Sequence, residues 1–402
     1  MSHTAKPECF IAIACGGTGG HLFPGLAVSD ALWHRGSESC LLVSEKAVDQ
    51  QAVMSADGLE VVKLPAVAFQ NRNWFRFLIG FVSSLRICLK NFSNRRPDAV
   101  VGFGGFTAVP SILAAKCVGA CSFLHESNAI PGRANRLLAL LADGIFVGYD
   151  AAVPWLHNRS VSRTGTPVRP QFKPLEASAC RMALGLDQHR PVMLVMGGSQ
   201  GATPVNHLVL GALPSLKKRL PNLQYLHLTG PDQKEPVAAE YRAQGLKAVV
   251  LPFLTEMELA LGAATVAVSR AGASSLAEFS AMRLPSILIP YPRAMDNHQY
   301  YNARALMKAG AARQMDQRSA TCETLVRHAA DILENPGVHE RMQQALGAWC
   351  FPNAADDIAE RILRVLLKGA PVPVPSSSSE AEPETVVNVE SRVGRTPSSP
   401  QS

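Results

Sequence analysis

Phe10-Ile11-Ala12-Ile13-Ala14-Cys15-Gly16-Gly17-Thr18-Gly19-Gly20-His21 decides how the rest of the chain is read. Its six leading apolar residues, with no polar alternation, suit a strand buried on both faces of a parallel sheet. The glycines that follow let backbone N–H groups approach a ligand at the C-terminal end of that strand. The pattern returns at Val192-Met193-Leu194-Val195-Met196-Gly197-Gly198-Ser199-Gln200-Gly201. Later in each half another strand ends in a tight turn, Gly102-Phe103-Gly104-Gly105 and then Ser269-Arg270-Ala271-Gly272. This distant duplication predicts an α/β protein of two Rossmann-like domains, with parallel sheets facing a cleft.

Working outward, apolar runs at 99–103, 145–147, 223–228, 265–268 and 286–289 read as further buried strands. Amphipathic stretches at 25–33, 133–141 and 275–282 alternate with them. The first domain is expected over 1–167 and the second over 168–345, joined at Gly165-Thr166-Pro167-Val168-Arg169-Pro170. A last helical stretch, 355–367 within 346–368, is expected to pack back on the first domain. Residues 369–402, rich in Pro, Ser and Glu, have little to bury and read as a disordered tail without a catalytic role.

Of the 402 residues, 47% are hydrophobic and 18% charged, which excludes a disordered chain and suits two cores plus a tail. Nine cysteines form no CxxC pair, and the odd count without a signal peptide favours reduced thiols in a cytoplasm. No run of 18 apolar residues occurs, so no bilayer span is expected. The net charge is +7 although the tail holds four glutamates against two arginines. A body that basic points to an anionic partner: nucleic acid, membrane surface or phosphorylated substrate.

A dinucleotide fingerprint would need Gly17, Gly19 and a third glycine where Leu22 stands, and no acidic residue ends the next strand at the expected distance. His21 follows the glycines directly, ahead of a helix expected to start near Gly25. It is either a general base near neutral pH or a helix-capping, partly buried histidine. Gly272 turns from a strand into Ala273-Ser274-Ser275-Leu276-Ala277-Glu278, where free N–H groups of a helix N-terminus would stabilise a diphosphate. Glu278 is either a clamp on two ribose hydroxyls or a solvated acid. Transfer from a nucleotide sugar needs an activated hydroxyl and charge stabilisation for the leaving diphosphate. No Asp-x-Asp occurs to hold a metal, leaving Ser199, Arg169 and Arg270 for that work.

These stretches, with His125-Glu126-Ser127-Asn128 and Gly165-Thr166-Pro167-Val168-Arg169, resemble the MurG family of peptidoglycan-pathway glycosyltransferases, which have a GT-B architecture. The matches stand in family order over about residues 8–365. The resemblance implies that His21 takes the proton from the C4 hydroxyl of N-acetylmuramic acid. It implies sugar or diphosphate contacts for Thr18, Gly19, Gly20 and Asn128, and donor-diphosphate contacts for Arg169, Ser199, Arg270 and Gly272. Phe253 and Leu254 match a loop whose backbone reads uracil, Glu278 matches the ribose clamp, and Gln299 matches a reader of GlcNAc hydroxyls. Gly104 and Gly105 match an acceptor-side turn. The implied chemistry is inverting, without metal or cofactor, from UDP-GlcNAc to undecaprenyl-diphosphate-linked MurNAc-pentapeptide (lipid I). The implied place is peripheral, on the cytoplasmic face of the bacterial inner membrane. Phe106, Thr166, Arg283 and His298 stand where the family commonly has Tyr, Asn, Gly and Gln.

From Lys63 to Pro97 there is no Asp or Glu. Arg72, Arg76, Arg86, Lys90, Arg95 and Arg96 interleave with Trp74, Phe75, Phe77, Leu78, Phe81 and Phe92. Positions 74, 78, 81, 85, 89 and 92 predict a buried helical stripe, leaving Phe75, Phe77, Ile79 and Val82 to face lipid above a basic margin. Trp74, Phe75 and Arg76 are the expected membrane-side residues. The alternative is a buried helix with solvated arginines, and no nucleic-acid module is present. Competing functions are a UDP-sugar transferase with another lipid acceptor, a UDP-GlcNAc 2-epimerase, and a non-catalytic sugar-nucleotide or lipid-binding protein.

Overall fold

The computed structural model describes residues 9–17, 19–45, 59–65, 74–198 and 201–368. Among them, the first sheet is built from β1 (Phe10–Ala14), β2 (Glu38–Ser44), β3 (Glu60–Leu64), β4 (Ala99–Gly102), β5 (Cys121–Glu126), β6 (Gly144–Val147) and β7 (Val161–Arg163). Its order is β3-β2-β1-β4-β5-β6-β7. The second comprises β8 (Val192–Met196), β9 (Gln224–Leu228), β10 (Ala248–Leu251), β11 (Val266–Ser269), β12 (Ser286–Leu288) and β13 (Ala312–Gln314), in the order β10-β9-β8-β11-β12-β13. All pairings are parallel. The two sheets therefore repeat one scheme. Strand order reverses between β1 and β4 and again between β8 and β11, and each reversal opens a crevice beyond the strand ends.

Every residue of β1 and β8 is buried, each large apolar side chain contributing roughly 1.5–3 kcal/mol. On one face of the first sheet Ile11, Ile13 and Val101 meet Leu22 and Val28. On the other, Ala12, Ala14 and Val100 meet Ile112 and Phe92. The helix Ala354–Lys368 lays Ile358, Ala359 and Ile362 into the first of these layers, beside the helix Gly19–Trp33.

Two local expectations need correction. The first helix starts at Gly19, not near Gly25, so His21 lies inside it and Pro24 falls past its first turn. Pro24 there forgoes the one helical bond it would donate to the Gly20 carbonyl. Close packing of this helix on β1 comes from Gly25, where a Cβ would stand 2.5 Å from the Cβ of Cys15. The second correction concerns the helix Trp74–Asn94, which buries Gly80, Ser84, Cys88 and Phe92 against its neighbours. Small residues at every fourth position let the helix Gly105–Val118 approach closely. That choice turns Trp74 and Leu78 outward instead of into the core.

Candidate active site

His21 stands in the first turn of the helix Gly19–Trp33, its ring against Gly104 and Gly105. A carbon added to Gly104 would come within 3.3 Å of His21 Nε2, and one on Gly105 within 3.2 Å of Nδ1. Both glycines also have left-handed backbones, with φ of 98° and 72°. Glycine is thus required for the turn and for clearance beside the imidazole. The Thr107 hydroxyl donates to the Gly16 carbonyl at 3.2 Å, tying the turn after β4 to the turn after β1.

Behind this wall the carboxylate of Glu126 closes β5, buried and surrounded by donors. Its Oε1 accepts from the Asn128 backbone N–H at 2.8 Å and from Asn128 Nδ2 at 3.0 Å. Its Oε2 accepts from the Gly132 N–H and from Asn135 Nδ2, both at 2.9 Å. Four donors replace the water such a group loses on burial. The neighbouring His125 is fully buried, and desolvation pushes its pKa down to about 4, partly offset by its bond to Gly165. Its ring is therefore neutral, and Nε2 donates to the Gly165 carbonyl at 2.9 Å. That bond fastens the segment between the domains.

In the second domain the helix Ala273–Met282 contacts the His21 helix, and Gly272 at its start leaves open space with nothing within 4 Å of a would-be Cβ. Glu278 lies on this helix, partly exposed yet packed closely enough that desolvation pushes its carboxyl up to about 7. Arg169 opposes that rise and Glu258 adds to it. The Arg169 guanidinium lies over the Phe23 ring at 4.7 Å and the Phe172 ring at 5.0 Å. Phe23 follows His21 by two residues, so Arg169 of one domain touches the helix that carries the imidazole of the other. Its Nε is buried without a hydrogen-bond partner. Phe253 is exposed and Leu254 partly buried just beyond β10. Gln299 Oε1 accepts from the backbone N–H of Tyr291 at 2.9 Å and of Ala271 at 3.3 Å, at the foot of the Gly272 turn.

Other expected residues are placed differently. Arg270 is turned away from the turn, donating to the carbonyls of Ile289 and Pro290 and, at 2.6 Å, to Gln317. Asn128 bridges the domains: its Oδ1 accepts from Asn302 Nδ2 at 3.0 Å. Asn302 in turn accepts from the Ala129 N–H at 2.8 Å and donates to the Ala271 carbonyl at 3.2 Å. Gly19 and Gly20 open the His21 helix. Trp74, Phe75 and Arg76 lie exposed at the start of another helix. Thr18, Ser199, Arg72 and 369–402 lie outside the described residues. Among the described residues no group of three or more His, Cys, Asp or Glu could hold a metal ion. Sequence reasoning gave no role to Glu126, Asn135 or Asn302. The signal was a glutamate closing an apolar strand.

Two Rossmann-type parallel sheets of the same order, with glycine turns and a histidine-bearing helix at the strand ends of the first and a glycine-led helix in contact with it in the second, define the class: a two-domain GT-B glycosyltransferase. Residues 11–147 match the Glycosyltransferase family 28 N-terminal domain and residues 192–362 its C-terminal domain. A UDP-N-acetylglucosamine–N-acetylmuramyl-(pentapeptide) pyrophosphoryl-undecaprenol N-acetylglucosamine transferase from Syntrophus aciditrophicus is 34% identical, over 89% of this chain and 98% of its own. The crystal structure of Acinetobacter baumannii MurG superposes with a TM-score of 0.71 at 26% identity, covering 89% of this chain and all of that one. A putative UDP-N-acetylglucosamine 2-epimerase from Listeria monocytogenes shares the fold alone, with a TM-score of 0.68 at 13% identity over 92% of this chain and 99% of that one. The chain belongs to the MurG family.

Proposed function

We propose that the chain transfers N-acetylglucosamine from UDP-GlcNAc to the C4 hydroxyl of lipid-linked N-acetylmuramyl-pentapeptide, inverting the anomeric carbon. The observation that carries this reading is the contact between the helix that bears His21 and the helix that follows Gly272 and bears Glu278, with Arg169 of the second domain over Phe23 of the first. His21 takes the acceptor proton as the C4 oxygen attacks C1 of the α-linked sugar. The UDP–sugar bond breaks on the far side, and the departing diphosphate meets the N–H groups after Gly272 and the Arg169 guanidinium. Glu278 accepts from the ribose hydroxyls. The names of the family relatives support the same donor and acceptor.

Membrane docking belongs to the same reading, because the acceptor is a polyprenyl lipid. Among the described residues no helix is long and apolar enough to cross a membrane. Trp74, Phe75, Leu78 and Ile79 are exposed together at one helix start, with Arg76 among them. That combination suits a peripheral attachment to anionic headgroups.

The test is purified protein with UDP-GlcNAc, with and without lipid I. UDP release that depends on the acceptor is expected. Free sugar, epimerised donor or binding without turnover would each overturn the proposal.

A further inference from the structure

We propose that His227 is a positioning residue for donor binding: through Asn206 and the Thr229 carbonyl it sets the glycine turn after β8, on which the diphosphate of the nucleotide sugar rests. It depends on the donor chemistry above, although no step of that transfer uses His227. The residue stands on β9 and is fully buried. Desolvation pushes its pKa down to about 3, so the ring is neutral. Its Nδ1 lies 3.1 Å from the Tyr241 hydroxyl and its Nε2 3.1 Å from Asn206 Oδ1. Asn206 Nδ2 donates to the Thr229 carbonyl at 3.0 Å. These contacts admit a single polarity. Turning the Asn206 amide over would set its carbonyl against that of Thr229, so Oδ1 faces the ring and Nε2 carries the proton. Nδ1 is then bare and accepts from Tyr241, whose hydroxyl burial keeps protonated.

The far end of these bonds is the turn. Gly201, with φ 70°, packs directly on the Thr229–Gly230 peptide, where any side-chain carbon would collide with the Thr229 carbonyl oxygen. Its N–H donates to the Gly198 carbonyl at 2.9 Å. Gly198 itself has nothing within 4 Å of a would-be Cβ, so the turn is open on that side. It stands where strand order reverses between β8 and β11, the place at which open parallel sheets receive a nucleotide's phosphates. Asn206 lies in the first turn of the helix Thr203–Arg219, which follows the glycines directly. Its amide thus anchors them twice, through its own helix and through Thr229. Without the His227 N–H that amide has no fixed orientation, and the turn loses the support beneath Gly201.

The experiment is equilibrium titration of the full chain with UDP-GlcNAc, UDP and uridine, with Tm measured alongside. His227→Phe keeps the bulk of the ring and removes both bonds. Its affinity for UDP and UDP-GlcNAc should fall about tenfold, while uridine, which has no diphosphate, binds as it does to the wild type. His227→Gln, whose amide can donate to Asn206 and accept from Tyr241, should bind UDP as the wild type does. His227→Asn, too short to reach Asn206, should repeat the loss and serves if His227→Phe does not fold. Uridine affinity that falls as far as that for UDP would mean general loosening and overturns the proposal. A lower Tm with all three affinities unchanged overturns it too, as does a Gln variant as weak as the Phe or Asn one. A wild type that binds neither UDP nor UDP-GlcNAc refutes the donor reading itself, before any variant is compared.

Discussion

In the proposed reaction His21 serves the acceptor and Glu278 the donor, and each makes a prediction that the other does not. Replacing His21 by Ala removes the proton acceptor while leaving the donor wall untouched. Turnover should fall about 10²-fold or more, with UDP-GlcNAc affinity by equilibrium titration essentially unchanged. Lost donor binding with normal turnover would refute the assignment. For Glu278, burial raises the carboxyl to about 7 in the free protein, with Arg169 and Glu258 facing it. Its folded pKa exceeds its ordinary 4.5, so this group lowers stability as pH rises between those two values. Ribose hydroxyls donate to the carboxylate form and favour it. UDP-GlcNAc, whose own diphosphate does not titrate near neutrality, should therefore bind several-fold tighter at about pH 8 than at about pH 6. Glu278→Gln should flatten that slope, and a slope that survives the substitution would place the titration elsewhere. At this scale the motifs placed His21 directly after the first glycine turn and Glu278 on the helix after Gly272, which is where both lie. The bonds of Arg270 were not legible, because a charge beside a glycine turn does not reveal that two carbonyls just past β12 and the Gln317 side chain already hold it.

The helix Ala273–Met282, which Gly272 leads into, ends at Arg283 with φ 52° and ψ 40°. The Arg283 N–H reaches the Ser280 carbonyl at 3.2 Å and the Leu284 N–H reaches that of Phe279 at 2.9 Å. Glycine is the ordinary residue at such an end, since a side chain in the left-handed region costs about 1 kcal/mol. Against this, the guanidinium packs over Gly347, 3.4 Å from where its Cβ would be. Backbone strain outweighs one exposed contact, so Arg283→Gly should stabilise by about 0.5–1 kcal/mol and raise Tm by roughly 1–4 °C. A lower Tm in a thermal scan would show that the guanidinium contact dominates. At this scale the sequence was most readable where strands are buried on both faces, as in β1 and β8. It misled where packing depends on absent bulk. Gly80, Ser84 and Cys88 carry the buried face of the helix Trp74–Asn94, and apolarity ranks larger neighbours above them. The early start of the first helix was hidden likewise, by glycines and a proline that local propensity reads as a loop.

Across the whole molecule the two domains are held together by few but well-buried bonds. Asn302 is fully buried and links Asn128 and Ala129 of one domain to the Ala271 carbonyl of the other. Asp296 adds ion pairs to Arg133 at 3.3 Å and Arg136 at 3.2 Å, whose exposure makes them minor contributors. This arrangement fixes which end of the first domain faces the cleft, and leaves one end of the helix Trp74–Asn94 free. Phe75 and Ile79 are 61% and 64% exposed there, while Arg86, Lys90, Arg95 and Arg96 stand exposed further along the chain. Apolar side chains of that size each gain roughly 1.5–3 kcal/mol on leaving water, and basic residues near an anionic surface add about 1 kcal/mol apiece. A Phe75→Glu, Ile79→Glu variant forfeits both terms at positions that support no core. Its binding to vesicles containing anionic lipid, read by co-sedimentation, should fall at least about tenfold, while its Tm and UDP-GlcNAc affinity match the wild type. Added salt should weaken wild-type binding without abolishing it, because the apolar contribution is not screened. Vesicle binding that the double substitution leaves intact would remove this face from the membrane and require another basic surface to take its place.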